Sequence, residues 1–311
     1  MTRRRHGMAV VALLALGALL VAGGCGAPPA DSLGRAGAGR LQVVATTTII
    51  GDLVRNVAGD RAEVTVLLPP DADPHAFEPR PGDLAAVGRA QVLFKNGAGL
   101  EAFLEPVLRS AGGAPLIVEC AQGLKLRTME EGGGQLADPH LWFDVRNAVH
   151  YVERIRDGLI QADPAGRDVY TANAARYIAQ LNELDAWIVE QVSQVPPEQR
   201  KLVTSHDTFG YFAERYGFEV IGALFPASGA EAQPSAQQIA RLIQAIQVAG
   251  VKAIFTENTV DPKFAEQIAR DAGVRVVTEL YTDALGGPGS GAETYIDMMK
   301  FNVRAIVEAL Q

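Results

Sequence analysis

This chain of 311 residues has only two cysteines, few aromatic residues and no apolar run of membrane-spanning length. With only Cys25 and Cys120, a disulfide-stapled fold is excluded. Aromatic residues make up 6% of the chain, which argues against an aromatic-lined pocket for an organic solute. Lys and Arg number 28 against 36 Asp and Glu, and three of the bases (Arg3, Arg4 and Arg5) lie in a leader that is expected to be removed. The remaining body is acidic and has no basic cluster, so a nucleic-acid partner is not expected. What is present, 48% apolar and 21% charged residues, is ample for packed cores and describes a globular protein.

Residues 1–24 read as a secretory leader: a basic stretch over 1–7, an apolar stretch over 8–21, then Ala22, Gly23 and Gly24 ahead of Cys25. The apolar stretch is about 14 residues long, short of the ~20 that a spanning helix needs. A Cys directly after small residues resembles a bacterial lipobox, with Ala22 where Leu is usual, so Cys25 is expected to be lipidated and to become the mature N-terminus. Ordinary cleavage, the alternative, would leave a free surface thiol there. Residues 25–40 are rich in Gly, Ala, Pro and Ser and form a flexible tether of roughly 20 Å reach. The body is therefore expected outside the cytoplasm, lipid-anchored to the cell membrane, in the periplasm if the source has an outer membrane. Cys120 is left without a partner and reads as a buried, inert thiol.

About 287 residues follow the leader, enough for two domains. Strand-like runs at 41–46, 62–68, 92–95 and 116–118 alternate with helical patterns at 50–58 and 100–110, and another helix is predicted over 145–160. A second alternation has strands at 201–205, 219–224, 253–256 and 275–278, with helices at 209–216, 234–249, 262–271 and 292–310. Between them runs one long helical pattern, started by Pro164, carrying Val169, Ala172, Tyr177, Leu181, Leu184 and Ile188, and stopped by Pro196 and Pro197. The expectation is an α/β protein of two lobes, each a mainly parallel sheet flanked by helices, spanning 41–162 and 196–311, joined by a linking helix over 163–195. A helix of about 30 residues would be ~45 Å long and would resist bending, so only modest lobe motion is expected.

Four histidines remain in the mature chain, and two of them sit in the same tripeptide, Asp73-Pro74-His75 and Asp138-Pro139-His140. His206 directly follows the strand at 201–205, and Asp283 comes soon after the strand at 275–278. Open α/β sheets bind ligands beyond the carboxyl ends of their strands, so these groups converge on one crevice. Three imidazoles and one carboxylate make a four-coordinate set for a borderline metal such as zinc, and separations of 65, 66 and 77 residues exclude a zinc finger. Asp73 and Asp138 serve either as turn formers or as acceptors for imidazole N–H groups. His150, inside a helix, is set aside, and Met298 and Met299 read as core. Glu78, Asp144, Asp207 and Glu257 lie near the crevice in sequence, and each reads equally well as a cap or a surface charge.

These motifs, together with Glu78-Pro79, Leu141-Trp142, Thr204-Ser205-His206-Asp207, Phe209-Gly210-Tyr211-Phe212 and Asp283-Ala284-Leu285-Gly286, resemble the zinc/manganese-binding lipoproteins of ABC importers, the ZnuA/TroA-like family. The resemblance runs over nearly the whole chain. It implies a monomer that holds one metal between its lobes through His75, His140, His206 and Asp283. It also implies delivery of that metal to a membrane permease driven by a cytoplasmic ATPase. Manganese binders of the family commonly have Glu where His206 stands, so Zn(II) is the expected cargo, with Mn(II) the alternative. The stretch 128–137, rich in Glu and Gly, lacks the histidines that many dedicated zinc members carry there.

A zinc metallohydrolase is the enzyme alternative. The chain has no His-Glu-x-x-His helix and no Gly-x-Ser-x-Gly elbow, and a carboxylate at the fourth position fills the place that a catalytic water needs.

Overall fold

The inner strands of this protein are largely buried on both faces and read as mainly apolar runs rather than alternating ones, which is the signature of parallel sheets covered by helices. The computed structural model describes residues 39–131, 134–225, 234–258 and 263–311. The leader, most of the tether and Cys25 lie outside the described residues. From Arg40 onward the chain forms one compact unit.

The first half contains β1 (Leu41–Ala45), α1 (Thr48–Ala58), β2 (Ala62–Val66), α2 (Pro81–Arg89), β3 (Val92–Lys95), α3 (Leu104–Ser110) and β4 (Leu116–Glu119). A hairpin of β5 (Thr128–Glu131) and β6 (Gly134–Ala137) follows, then α4 (Val145–Ala162) and the long α5 (Arg167–Val192). The second half contains β7 (Lys201–Thr204), α6 (Gly210–Tyr216), β8 (Glu219–Ala223), α7 (Ala236–Ala249), β9 (Ala253–Glu257), α8 (Lys263–Ala272), β10 (Arg275–Leu280) and α9 (Tyr295–Leu310). The first sheet runs β2-β1-β3-β4 and the second β10-β9-β7-β8, with every neighbouring pair parallel. Counted from its own first strand, each sheet has the same order. Each therefore reverses direction of winding once, at β1/β3 and at β7/β9, and these switch points open a crevice beyond the strand ends.

One apolar cluster joins the two halves. It takes Val43, Phe94 and Val118 from the first sheet, Leu202, Phe255 and Leu280 from the second, and the buried faces of α1, α4, α5 and α9. Its large polar-tipped side chains are satisfied: the Tyr151 hydroxyl donates to Asn96 Oδ1 at 2.6 Å, the Tyr295 hydroxyl to the Trp142 carbonyl at 2.6 Å, and Trp142 Nε1 to the Thr282 carbonyl at 3.0 Å. Cys120 is fully buried, and burial pushes its thiol up, which keeps it unreactive.

Several elements differ from their sequence expectation. The pattern over 100–110 yields a helix only from Leu104, because Gly97, Ala98 and Gly99 all take positive φ and turn the chain so that Glu101 accepts from the backbone N–H of Asn96 and Gly97. Helix α2, unforeseen in a Pro-rich stretch, starts at Pro81, and the Asp83 carboxylate accepts from the Arg80 N–H at 2.7 Å. The stretch 128–137 pairs as a hairpin although its sequence has no apolar alternation. In α5 the buried stripe is Tyr170, Ala174, Tyr177, Leu181, Leu184, Ile188 and Val192, so Val169 and Ala172 belong to the outer face. The spacing of three and four residues that fits the C-terminal half, carried back, lands on Tyr170 and not on Val169.

The stripe makes a stability prediction. Leu181, fully buried, should cost about 2–5 kcal/mol when changed to Ala, whereas V169A on the exposed face should change stability by less than about 0.5 kcal/mol. Urea unfolding of the two variants checks it, and equal losses would mean the stripe is wrongly phased.

Candidate metal centre

Four donor groups meet where the strand ends of both sheets face one another. His75 comes from the loop between β2 and α2, His140 follows β6, His206 follows β7, and Asp283 follows β10. One ligand atom from each lies within 4.8 Å of all the others. The Nε2 atoms of His140 and His206 are 3.3 Å apart, and Asp283 reaches them with Oδ1 at 3.5 Å and Oδ2 at 3.2 Å. The His75 ring stands off by 5.6 Å from His140 and 5.7 Å from His206, centroid to centroid. His140, His206 and Asp283 are buried, and His75 is half-buried on the loop side.

Each histidine is set by a carboxylate. Asp73 Oδ1 accepts from the backbone N–H of His75 at 2.7 Å and fixes the turn alone. Asp138 Oδ1 accepts from the backbone N–H of His140 at 3.0 Å and meets its ring Nδ1 at 2.9 Å. Of the two roles open to these residues, Asp73 thus takes the turn and Asp138 both. Glu257, at the end of β9, does for His206 what Asp138 does for His140, meeting Nδ1 at 2.8 Å through Oε2 and accepting from the backbone N–H at 3.1 Å. With Nδ1 tied back in this way, the Nε2 atoms of both rings face each other and Asp283.

The remaining sequence candidates fall away from the centre. Asp144 caps α4 and pairs with Arg146, Glu78 is exposed, and Met298 and Met299 lie in the core. His150 is half-buried, with Nε2 at 2.9 Å from the Gln122 carbonyl. Glu257 is the residue whose role the sequence left undecided, since it lies 51 positions from its histidine.

Burial and mutual charge set the protonation of the cluster. Burial lowers the His75 pKa to about 4, so its ring is neutral and its Nε2, buried without a hydrogen-bond partner among the described residues, is free to bind. Asp283 Oδ1 is likewise without a hydrogen-bond partner. Burial works to strip charge from His206, but Glu257 and Asp283 outweigh it and raise its pKa well above the ordinary imidazole value. Burial alone would also raise the pKa of Asp283, yet His206, His140 and His75 together hold it well below the usual carboxylate range. Three imidazoles, one with an unpartnered Nε2, and a carboxylate with an unpartnered Oδ1 fit a borderline divalent metal.

The family model described as zinc-uptake complex component A, periplasmic, matches residues 43–309. The chain belongs to this family. It is 41% identical over 292 residues to the manganese-binding lipoprotein MntA of Halalkalibacterium halodurans, covering 94% of this chain and 95% of the relative. It is 30% identical over 279 residues to the manganese ABC transporter substrate-binding lipoprotein PsaA of Streptococcus pneumoniae, covering 87% and 89%. Among solved structures, the periplasmic zinc-binding protein TroA of Treponema pallidum superposes with a TM-score of 0.80 at 31% identity, covering 88% of this chain and 99% of that one. The protein is thus a metal-binding substrate-binding component of an ABC transporter, and the metallohydrolase alternative is set aside. No helix among the described residues is long and apolar enough to cross a membrane.

Proton and metal compete for this centre, and the sign follows from the shifts. The raised pKa of His206 means that the metal-free site carries a proton at neutral pH, which an entering metal must displace; His75, at about 4, carries none. Metal binding near pH 7 should therefore release about one proton, and affinity should fall about tenfold per pH unit on acidification. Calorimetry in buffers of different ionisation enthalpy reads the proton directly. An affinity flat between about pH 7 and 5 would remove the histidines from the donor set.

Proposed function

We propose that this protein captures one Zn(II) ion outside the cytoplasm through His75, His140, His206 and Asp283, and passes it as a monomer to the permease of an ABC importer driven by a cytoplasmic ATPase. The observation that carries the reading is the 3.3 Å gap between the Nε2 atoms of His140 and His206. Zinc bonds of ~2.0–2.1 Å at tetrahedral angles leave about 3.3 Å between neighbouring donors, so the two rings stand at the spacing a zinc ion requires. Three nitrogens against one carboxylate favour Zn(II) over the harder Mn(II).

Mn(II) is the second reading. A relative 41% identical is named manganese-binding, and Asp283 turns both oxygens toward the imidazoles, which would suit a bidentate carboxylate and a higher coordination number. Competition titration of the metal-free chain with both ions decides between them. H75A, H140A and H206A should each weaken zinc binding by at least about tenfold, and a variant of unchanged affinity leaves the donor set. H206E should shift relative preference from Zn(II) toward Mn(II), because an oxygen replaces a nitrogen.

The anchor is assigned to a lipid on Cys25. Its relatives are named lipoproteins, and acyl chains supply ~0.8 kcal/mol per buried CH₂ without a spanning helix. C25A should leave the protein in the soluble fraction after cell disruption; pelleting with membranes would place the anchor elsewhere.

A further inference from the structure

A buried imidazole binds a metal through Nε2 only when its proton sits on Nδ1, and that proton needs an acceptor. His206 takes its acceptor from β9, outside its own loop. Glu257, 2% exposed, brings Oε2 to 2.8 Å and Oε1 to 3.1 Å from Nδ1, while Oε1 also accepts from the His206 backbone N–H at 3.1 Å. The Thr282 hydroxyl donates to Oε2 at 2.8 Å, so the same carboxylate ties the loop after β7 to the residue beside Asp283. Thr204 closes the turn by donating from its hydroxyl to the His206 carbonyl at 2.7 Å.

The two carboxylates that clamp the buried imidazoles differ in one respect. Asp138 shares its charge with Arg127, whose Nε lies 3.7 Å from Oδ2. Among the described residues no Lys or Arg pairs with Glu257. Among the described residues its negative charge is met by the His206 ring, the His206 backbone N–H and the Thr282 hydroxyl, and the hydrogen bond from Nδ1–H makes Nε2 the more basic donor.

Taking His206 as a metal ligand, we propose that Glu257 is a positioning and specificity residue: it locks His206 with the Nε2 lone pair facing the metal and strengthens that nitrogen, raising zinc affinity more than manganese affinity. Nitrogen donors gain most with metals late in the first-row order, which is why the effect separates the two ions.

The test titrates metal-free full-length chain with Zn(II) and Mn(II) in competition with a chelator, comparing wild type, E257Q, T282V and H206A. Gln keeps the shape of Glu and an oxygen for Nδ1–H but removes the charge. E257Q should bind zinc about 10- to 100-fold more weakly and lose less for manganese, with the ¹⁵N signals of the His206 ring in the zinc-loaded protein shifted and those of His75 and His140 in place. T282V, which removes one hydrogen bond to Glu257 and leaves its charge in place, should show a smaller change of the same sign, and it decides the matter if E257Q does not fold. Wild-type zinc affinity in E257Q, or equal losses for both metals, overturns the proposal while a weakened H206A keeps His206 as a ligand. An unchanged H206A overturns the ligand assignment itself.

Discussion

Placing two buried imidazoles with their Nε2 atoms 3.3 Å apart is unfavourable unless something dictates which nitrogen of each carries hydrogen. Asp138 and Glu257 dictate it, and most of the fold around the crevice exists to bring those carboxylates to their rings. Asp138 needs only the rigid turn of an Asp-Pro-His tripeptide. Glu257 needs two parallel strands, β7 and β9, side by side at the switch point of the second sheet. Around these clamps, Trp142 lies 5.4 Å from the His140 ring and donates to the Thr282 carbonyl, so the walls of the site are also hydrogen-bonded to each other.

Sheet topology explains why donors from distant parts of the chain share a point. Both sheets use the same strand order, and both turn their carboxyl ends toward the crevice. His206 and Asp283 follow strands of one sheet, and His75 follows β2 of the other. Asn96, just beyond β3, holds the Pro139 carbonyl at 2.9 Å and so seats the turn that carries His140.

Much of this was legible in the sequence, for physical reasons that differ by element. Strands such as β1 and β9 are mainly apolar and almost wholly buried because both faces are covered, and they stand out from the helical pattern around them. The four side chains that converge were legible because each follows a strand or sits in a Pro-fixed turn. The hairpin β5–β6 was not, since its pairing rests on backbone hydrogen bonds in a polar, Gly-rich stretch. Nor was the start of α3, where Glu101 settles the backbone by accepting from residues that precede it. Glu257 reads from sequence as a cap or a surface charge, because what joins it to His206 is a strand register, and a register between β7 and β9 is written in neither strand alone.

The apolar cluster shared by both sheets and α5 has a mechanical consequence. Prising the halves apart along it by even ~400 Å² of apolar surface would cost about 10 kcal/mol, comparable with the whole stability of an ordinary domain. The two sheets should therefore unfold in a single cooperative transition, and an ion bound at their seam would stabilise both at once.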